Sequence, residues 1–203
     1  MNLLFRDPGA FIILVPLLLY SVIIHEVAHG WVAEKMGDPT ARMLGRITLH
    51  PMKHLDPIGS LMVLIFGFGW AKPVPVNFSN MRDYRKGMIL VSSAGIIGNI
   101  IVAFFSLLII QMNIFSPSGI MPLILNVLAQ INIILAALNL IPIPPLDGSK
   151  ILMGFVSNRA QYQLMQLEPY GMFIIIGLLF FGLLTPLIIF FQGIIVGIIS
   201  LIL

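Results

Sequence analysis

Two long stretches of this chain contain no charged side chain, and no other feature constrains the fold as strongly. Residues 87–146 and 169–203 lack Asp, Glu, Lys and Arg. Over the whole chain, 59% of the residues are apolar and 9% are charged, whereas soluble domains average roughly 45–50% and about 25%. Uncharged runs of this length require hydrocarbon rather than water around them. We therefore predict an all-α polytopic membrane protein and exclude a water-soluble domain.

Four apolar stretches are long enough to cross the ~30 Å hydrocarbon core at about 1.5 Å per residue. They are residues 9–33, 88–112, 120–141 and 171–203. The first is expected to remain as a span, because it lacks the small-residue cleavage site of a signal peptide. The last is too long for one upright helix and contains Pro186 near its middle. We predict two short helices there, or one helix kinked at Pro186.

The apolar stretch 58–70 would reach only ~20 Å as a helix, which is too short for a full crossing. If it enters the membrane and returns, every basic residue except Arg6 lies on one side, which marks that side as cytoplasmic. We therefore predict a re-entrant, β-like loop between the first span and the second long span, and about five to six transmembrane helices in total. Trp31 and Trp70 would then lie near the cytoplasmic interface of a multi-pass protein of the cell membrane.

The first span carries the sequence His25-Glu26-Val27-Ala28-His29. Residues four apart lie on one face of a helix, so the two imidazoles can bind one metal ion, and Glu26 can reach the water of that metal. Ionisable residues within an apolar helix cost free energy in lipid and are functional candidates for that reason. The alternative is a polar cluster that joins helices.

Catalytic zinc usually has three protein ligands, and the candidates for the third are His50, His54, Asp56 and Asp147. Asp147 follows a proline-rich segment, residues 142–145, that cannot be helical. Irregular backbone at membrane depth is tolerated where it lines protein or a cavity. The predicted topology also brings this segment and His25 to the same membrane face. We therefore favour Asp147 as a ligand over a role as the cap of a helix at 148–157.

The sequence His25-Glu-Val-Ala-His29, together with Asn139-Leu-Ile-Pro-Ile-Pro-Pro-Leu-Asp147-Gly, closely resembles the site-2 protease family of intramembrane zinc metalloproteases. Three further segments, residues 50–59, 69–77 and 93–99, are similar to its small bacterial and archaeal branch. The resemblance implies that His25, His29 and Asp147 bind Zn²⁺, that Glu26 is the catalytic acid/base, and that the site lies within the membrane near the cytoplasmic side. The sequence departs from the family in having no PDZ or CBS domain and in having Ile96 where Pro is usual.

These features predict an intramembrane zinc metalloendopeptidase that cuts transmembrane segments of membrane-protein substrates, with zinc water activated by Glu26 as the nucleophile. Its partners would be the substrate and the lipid bilayer. The basic residues sit beside apolar segments, which does not indicate nucleic-acid binding. We expect one membrane-embedded peptidase domain over residues 1–203, with its catalytic core at about 10–155. The alternative function is a metal-ion transporter or a non-catalytic metal-binding membrane protein; the sequence offers no repeats to support a transporter.

Several other polar residues have two possible roles. Asn99 shares a small polar face with Ser92, Gly95 and Ser106, which suits helix packing or a contact with the active site. Asn139 could stabilise the oxyanion or the substrate backbone, or form a hydrogen bond between helices.

Two segments between the first two long spans are also ambiguous. His50 and His54 could form a second metal site, although a structural role is preferred. Residues 70–77 alternate Pro with Val and could pair with an extended substrate as an edge strand, or could be an anchoring loop.

Overall fold

A computed structural model describes residues 8–66, 71–117 and 119–203 of the chain. Helices dominate these residues, and the described part of the chain contains no strand beyond one isolated β-bridge. In chain order the helices are α1 (Pro8–Met36), α2 (Thr40–Met43), α3 (Pro57–Phe66), α4 (Tyr84–Gln111), α5 (Ile120–Leu140), α6 (Asp147–Phe155), α7 (Asn158–Leu167), α8 (Gly171–Phe180) and α9 (Leu184–Ile202). Short 3₁₀ helices cover Pro51–Lys53, Phe78–Asn80 and Glu168–Tyr170.

Five helical segments are long and apolar enough to cross a membrane, which confirms the predicted all-α polytopic class. Four of them coincide with single helices, α1, α4, α5 and α9. The remaining segment, Asn158–Phe180, combines α7, a 3₁₀ turn and α8. Helix α4 packs against α1, α5 and α6, so it lies at the centre of the bundle.

The apolar core lies between α4, α5 and α9 and contains several alanines. Ala103, Ala136 and Ala137 are fully buried, and their small side chains allow the helix backbones to approach closely. Branched side chains of α9, Ile195 and Ile199, fill the space beside them. Packing of this kind holds helices together in lipid, where the hydrophobic effect between them is weak.

The C-terminal stretch consists of two helices, α8 and α9, and the break lies upstream of Pro186. Gly182 has a φ of +71°, a left-handed conformation that favours glycine and ends α8. Pro186 falls in the first turn of α9, where its missing N–H removes no intrahelical hydrogen bond. The sequence correctly indicated an interruption, but its position follows from the glycine rather than from the proline.

The predicted re-entrant stretch contains helix α3, and the chain on either side of it comes together. Leu55 and Ala71 form an antiparallel bridge, and the N–H of Lys72 donates to the carbonyl of His54 at 2.7 Å. Both ends therefore lie at one place, which favours entry and exit on the same side. The β-like character is limited, in the described residues, to this bridge. Arg6 and Trp70 lie outside the described residues, whereas Trp31 is 53% exposed.

A buried carboxylate fixes the segment after Ala71 to the end of α1. Asp38 is fully buried and accepts hydrogen bonds from the N–H and hydroxyl of Thr40, the N–H of Asn77 and the amide of Asn80. Burial by itself raises the pKa of the Asp38 carboxyl, but these hydrogen bonds together outweigh it and hold the pKa below its ordinary value. The ionised carboxylate thus stabilises the connection between α1 and the loop that precedes α4.

Replacing Asp38 with Asn is expected to lower the thermal unfolding temperature in detergent at pH 7. Hydrogen bonds to a charged group contribute about 1.5–3 kcal/mol each, and the neutral amide offers one acceptor oxygen instead of two. A carboxyl with a lowered pKa stabilises the fold above its unfolded value near 4 and loses that contribution as the pH falls through the folded value. The difference in unfolding temperature between wild type and Asp38→Asn should therefore shrink on acidification. A difference that stays constant from about pH 7 to pH 3 would contradict this assignment.

Candidate metal centre

Three side chains from distant parts of the chain converge between α1 and the start of α6. The Nε2 atoms of His25 and His29 are 2.9 Å apart, and Oδ2 of Asp147 lies 3.0 Å from the first and 3.1 Å from the second. Each residue is less than a tenth exposed. Among the described residues these three form a group that could hold a metal ion. The structure thus brings together the histidine pair and the carboxylate that the sequence predicted as ligands.

The hydrogen-bond partner of Nδ1 in each imidazole shows that this outer nitrogen carries a proton. The amide nitrogen of Asn99 donates to the carbonyl of Ser21 and to the side-chain oxygen of Asn132, so its own oxygen must be an acceptor. That oxygen lies 2.6 Å from Nδ1 of His25, which therefore carries the proton. Nδ1 of His29 lies 2.7 Å from the carbonyl oxygen of Val91, which can only accept.

Nε2 of each imidazole is consequently the nitrogen that faces the carboxylate of Asp147. Two imidazole Nε2 atoms and a carboxylate oxygen about 3 Å apart require a cation between them, either a proton or a metal ion. Two imidazole nitrogens and one carboxylate oxygen are a ligand set that catalytic zinc uses, and hydrogen bonds to the outer nitrogens are its usual support. The donor set therefore fits Zn²⁺.

Two glycines provide the space that this arrangement needs. A Cβ on Gly95 of α4 would lie 2.6 Å from Nε2 of both His25 and His29. A Cβ on Gly148 would lie 2.3 Å from the carbonyl oxygen of Leu140 at the end of α5. Gly95 thus allows the imidazoles to lie against α4, and Gly148 allows α6 to begin where Asp147 meets the histidines.

Asp147 is the first residue of α6, and its carboxylate does not cap that helix. The N-cap position belongs to Leu146, which forms no side-chain capping bond. The proline-rich turn before it leaves the helical conformation, as predicted, and aims the start of α6 at α1. The structure therefore favours the ligand position of Asp147 over the capping role.

Glu26 lies beside this group and faces a cavity of about 350 Å³. Its Oε2 accepts a hydrogen bond of 2.7 Å from the backbone N–H of Val74. The metal-site residues, Pro73, Asn139 and Lys150 also line the cavity. Glu26 and the three candidate ligands therefore face one common space.

The two asparagines singled out in the sequence occupy different positions. Asn139 lines the cavity, and its amide nitrogen donates to the carbonyl of Leu135 at 2.9 Å, which leaves its oxygen available. Asn99 is fully buried behind His25 and does not line the cavity. Asn99 therefore supports the site through the His25 ring rather than through contact with a substrate.

The second histidine pair has structural contacts. His54 is fully buried, and its Nε2 donates to the carbonyl of Thr48 at 2.8 Å. Asp56 accepts from the N–H of Gly59 and so caps the start of α3. Within the described ranges, His50, His54 and Asp56 belong to no group of three metal ligands. These contacts agree with the structural role that was preferred from the sequence.

The sequence did not identify Ser92 as a residue of the cavity wall. Four serines in the described part of the chain are buried, and Ser21, Ser106 and Ser149 each donate their hydroxyl to a carbonyl three or four residues earlier. The Ser92 hydroxyl has no partner among the residues that the structure describes, and Ser92 lines the cavity. The sequence placed Ser92 on one face with Gly95 and Asn99, but only the tertiary structure reveals that its hydroxyl is uncommitted.

The comparisons with known proteins agree with this geometry. Residues 116–184 match the profile of a protein family described as "Peptidase family M50". This range includes Asn139 and Asp147. Over 181 residues the chain is 40% identical to "Putative zinc metalloprotease YwhC" of Bacillus subtilis, and this covers 86% of the chain and 81% of that protein. The chain belongs to peptidase family M50. This is the site-2 protease family, so the resemblance seen in the sequence is confirmed.

Other relatives carry similar names. The chain is 29% identical over 182 residues to "Putative zinc metalloprotease Rip2" of Mycolicibacterium smegmatis, which covers 84% of the chain and 68% of that protein. It is 28% identical over 146 residues to "Zinc metalloprotease MJ0392" of Methanocaldococcus jannaschii, which covers 72% of the chain but 35% of that protein. No solved structure matches the chain. This M50 peptidase is a multi-pass membrane zinc metalloprotease with Zn²⁺ as its cofactor, and the transporter alternative is set aside.

Replacing Gly95 with Ala is expected to abolish zinc binding, because the added methyl group would occupy the space of the two imidazole Nε2 atoms. Gly98→Ala is the matched control, since its Cβ would lie no closer than 3.6 Å to Ala28, an ordinary contact on the same helix. Zinc content of the purified proteins, measured by mass spectrometry, distinguishes the two. Full zinc occupancy in Gly95→Ala would show that the metal is not held at this site.

Proposed function

We propose that this M50 peptidase hydrolyses peptide bonds within transmembrane segments of membrane-protein substrates. In this proposal His25, His29 and Asp147 hold the zinc, and Glu26 is the catalytic acid/base. The observation that carries the proposal is the position of Glu26 on the same helical turn as the histidine pair, facing a cavity that also reaches Asp147. A cleavage site between membrane-spanning helices suits a substrate that is itself in the membrane.

The depth of the site supports an intramembrane substrate. His25 lies about three helical turns before Lys35, or roughly 15 Å along the axis of α1. Lys35 is in the last turn of α1, on the side that carries the basic loops, which supports a site within the membrane near the cytoplasmic face. Because basic loops lie on the cytoplasmic side of a cell membrane, the same residues support a location in the cell membrane.

Bound zinc would supply a Lewis acid that polarises the scissile carbonyl and acidifies water. The side chains of the chain itself account for the remaining requirements. The Glu26 carboxylate accepts a proton from water in the cavity and passes it to the nitrogen of the leaving amine. Asn139 and the uncommitted Ser92 hydroxyl lie on the cavity wall, where either can hydrogen-bond the substrate backbone as charge develops on its carbonyl oxygen.

The surroundings of Glu26 suit this role. The low dielectric of the bundle strengthens every electrostatic interaction in the cavity. Lys150 and the polar residues of the cavity wall provide a path along which water can enter an otherwise apolar region. We also propose that residues 1–203 act as a single peptidase domain with its catalytic core at about 10–155, because the site draws on α1, α4 and α6.

The variant Glu26→Gln is expected to bind zinc normally and to lose proteolysis by a factor of at least about 10². The amide keeps the size of the side chain but cannot accept a proton. Membrane proteomes of cells that express wild type or Glu26→Gln would be compared for membrane-protein fragments, and the substrate would then be assayed after purification. Fragments that appear equally with both proteins would rule out Glu26 as the acid/base.

The variant Asp147→Asn is expected to lower zinc content sharply, because a neutral amide is a much weaker ligand than a carboxylate and leaves the metal with one less negative charge. Zinc content is measured beside that of Glu26→Gln, which serves as the control that keeps its metal. Unchanged stoichiometry in Asp147→Asn would remove this residue from the ligand set.

A further inference from the structure

The segment Lys72–Asn77 lines the cavity through Pro73, Val74 and Val76 and is anchored at both ends; we call it the strap. At its start, the N–H of Lys72 donates to the carbonyl of His54 at 2.7 Å, and its carbonyl accepts from the Arg46 guanidinium at 2.8 Å. At its end, the N–H of Asn77 donates to the buried carboxylate of Asp38 at 2.7 Å. The strap is therefore held by side chains that lie outside the metal centre.

The sequence of the strap leaves one backbone donor near Glu26. Pro73 and Pro75 have no N–H, so Val74 provides the N–H of these three residues, and it donates to Oε2 of Glu26. Residues that precede a proline favour extended backbone, which applies to both Lys72 and Val74. The alternation of Pro with Val thus presets the conformation that points this N–H at the carboxylate.

The packing of the Val74 side chain holds the strap against α1. The Val74 side chain is buried and lies against Gly30, where an added Cβ would come within 3.0 Å of Val74 Cγ1. Gly30 is one helical turn beyond Glu26 on the same helix. The strap is therefore seated on α1 by a side chain and bonded to Glu26 by the backbone of the same residue.

We propose that the strap positions Glu26 for catalysis and that Arg46 is a remote positioning residue that acts through it. This inference rests on the proposed role of Glu26. A glutamate side chain has three rotatable bonds, and an unpaired one would populate several rotamers. The Val74 N–H holds one carboxylate oxygen and leaves the other free to take the proton.

The burial of Arg46 supports its part in this arrangement. The residue is 7% exposed, and its Nε has no hydrogen-bond partner among the described residues. Burying a guanidinium costs free energy that incomplete hydrogen bonding does not offset. The bond that Arg46 does form goes to the strap, at the carbonyl of Lys72. The guanidinium therefore connects the strap to a buried side chain outside the metal centre.

The direct test replaces the Val74 N–H with an ester oxygen by incorporating the corresponding α-hydroxy acid. The same replacement at Val76 is the matched control, because that N–H donates to none of the described residues. The Val74 ester should lower kcat by about tenfold to a hundredfold with KM and zinc content near those of wild type. Equal kcat values in the Val74 and Val76 esters would overturn the proposal.

Amide hydrogen exchange provides a readout that does not depend on activity. In a peptide that spans residues 73–75, Val74 is the residue that carries an exchangeable backbone N–H. Its exchange should accelerate in Glu26→Ala and in Arg46→Met, with or without zinc. Arg42→Met is the control, because Arg42 is exposed and pairs with Glu34. Exchange at the wild-type rate in both Glu26→Ala and Arg46→Met would overturn the proposal even if the esters could not be purified.

Measuring Glu26→Gln in the same assays separates this inference from the proposed function. If Glu26→Gln is inactive and the Val74 ester has wild-type kcat, the positioning role is wrong and the function of Glu26 stands. If Glu26→Gln is fully active, the proposed function fails, and the role of the strap in catalysis fails with it. If both Glu26→Gln and the Val74 ester lose kcat, the result supports the proposed function and the positioning role of the strap.

Discussion

The close approach of two imidazole nitrogens and one carboxylate oxygen constrains the rest of this structure. Nε2 of His25, Nε2 of His29 and a carboxylate oxygen of Asp147 lie about 3 Å from one another in a buried region of the bundle. A group of this kind requires a cation between its atoms, either a proton or a metal ion. Hydrogen bonds to the outer nitrogens orient the two imidazoles towards the carboxylate.

The same hydrogen bonds that hold the histidines also join the helices. Asn132 of α5 donates to the hydroxyl of Ser21 on α1 and accepts from Asn99 of α4, which in turn accepts from His25. The side-chain amides of Asn99 and Asn132 both have partners on their oxygen and on their nitrogen. These hydrogen bonds offset the free energy needed to bury polar groups among apolar helices. Stability of the bundle and orientation of the metal ligands therefore depend on one network.

The sequence predicted those parts of the site that are set by local spacing or by crude topology. The spacing of His25 and His29 on a helix places their rings on one face, and the charge distribution brought Asp147 to the same side of the membrane. It did not predict that Asn99 faces the back of His25, because this depends on how α4 is rotated against α1. For the C-terminal stretch it left open two short helices or one helix kinked at Pro186, because proline is a strong helix breaker, whereas the left-handed φ of Gly182 is visible only in three dimensions.

The structure also clarifies the two roles considered for the alternating Pro and Val residues. In an extended chain, the N–H and C=O of one residue point to the same side, and those of its neighbours point to the other. The N–H of Val74 donates to Glu26, so in an extended strap the opposite side would present carbonyls at Pro73 and Pro75 without any N–H between them. A substrate strand could donate to this edge but could receive nothing back at these two positions. The prolines therefore favour a fixed support for Glu26 over a complete β-ladder with the substrate.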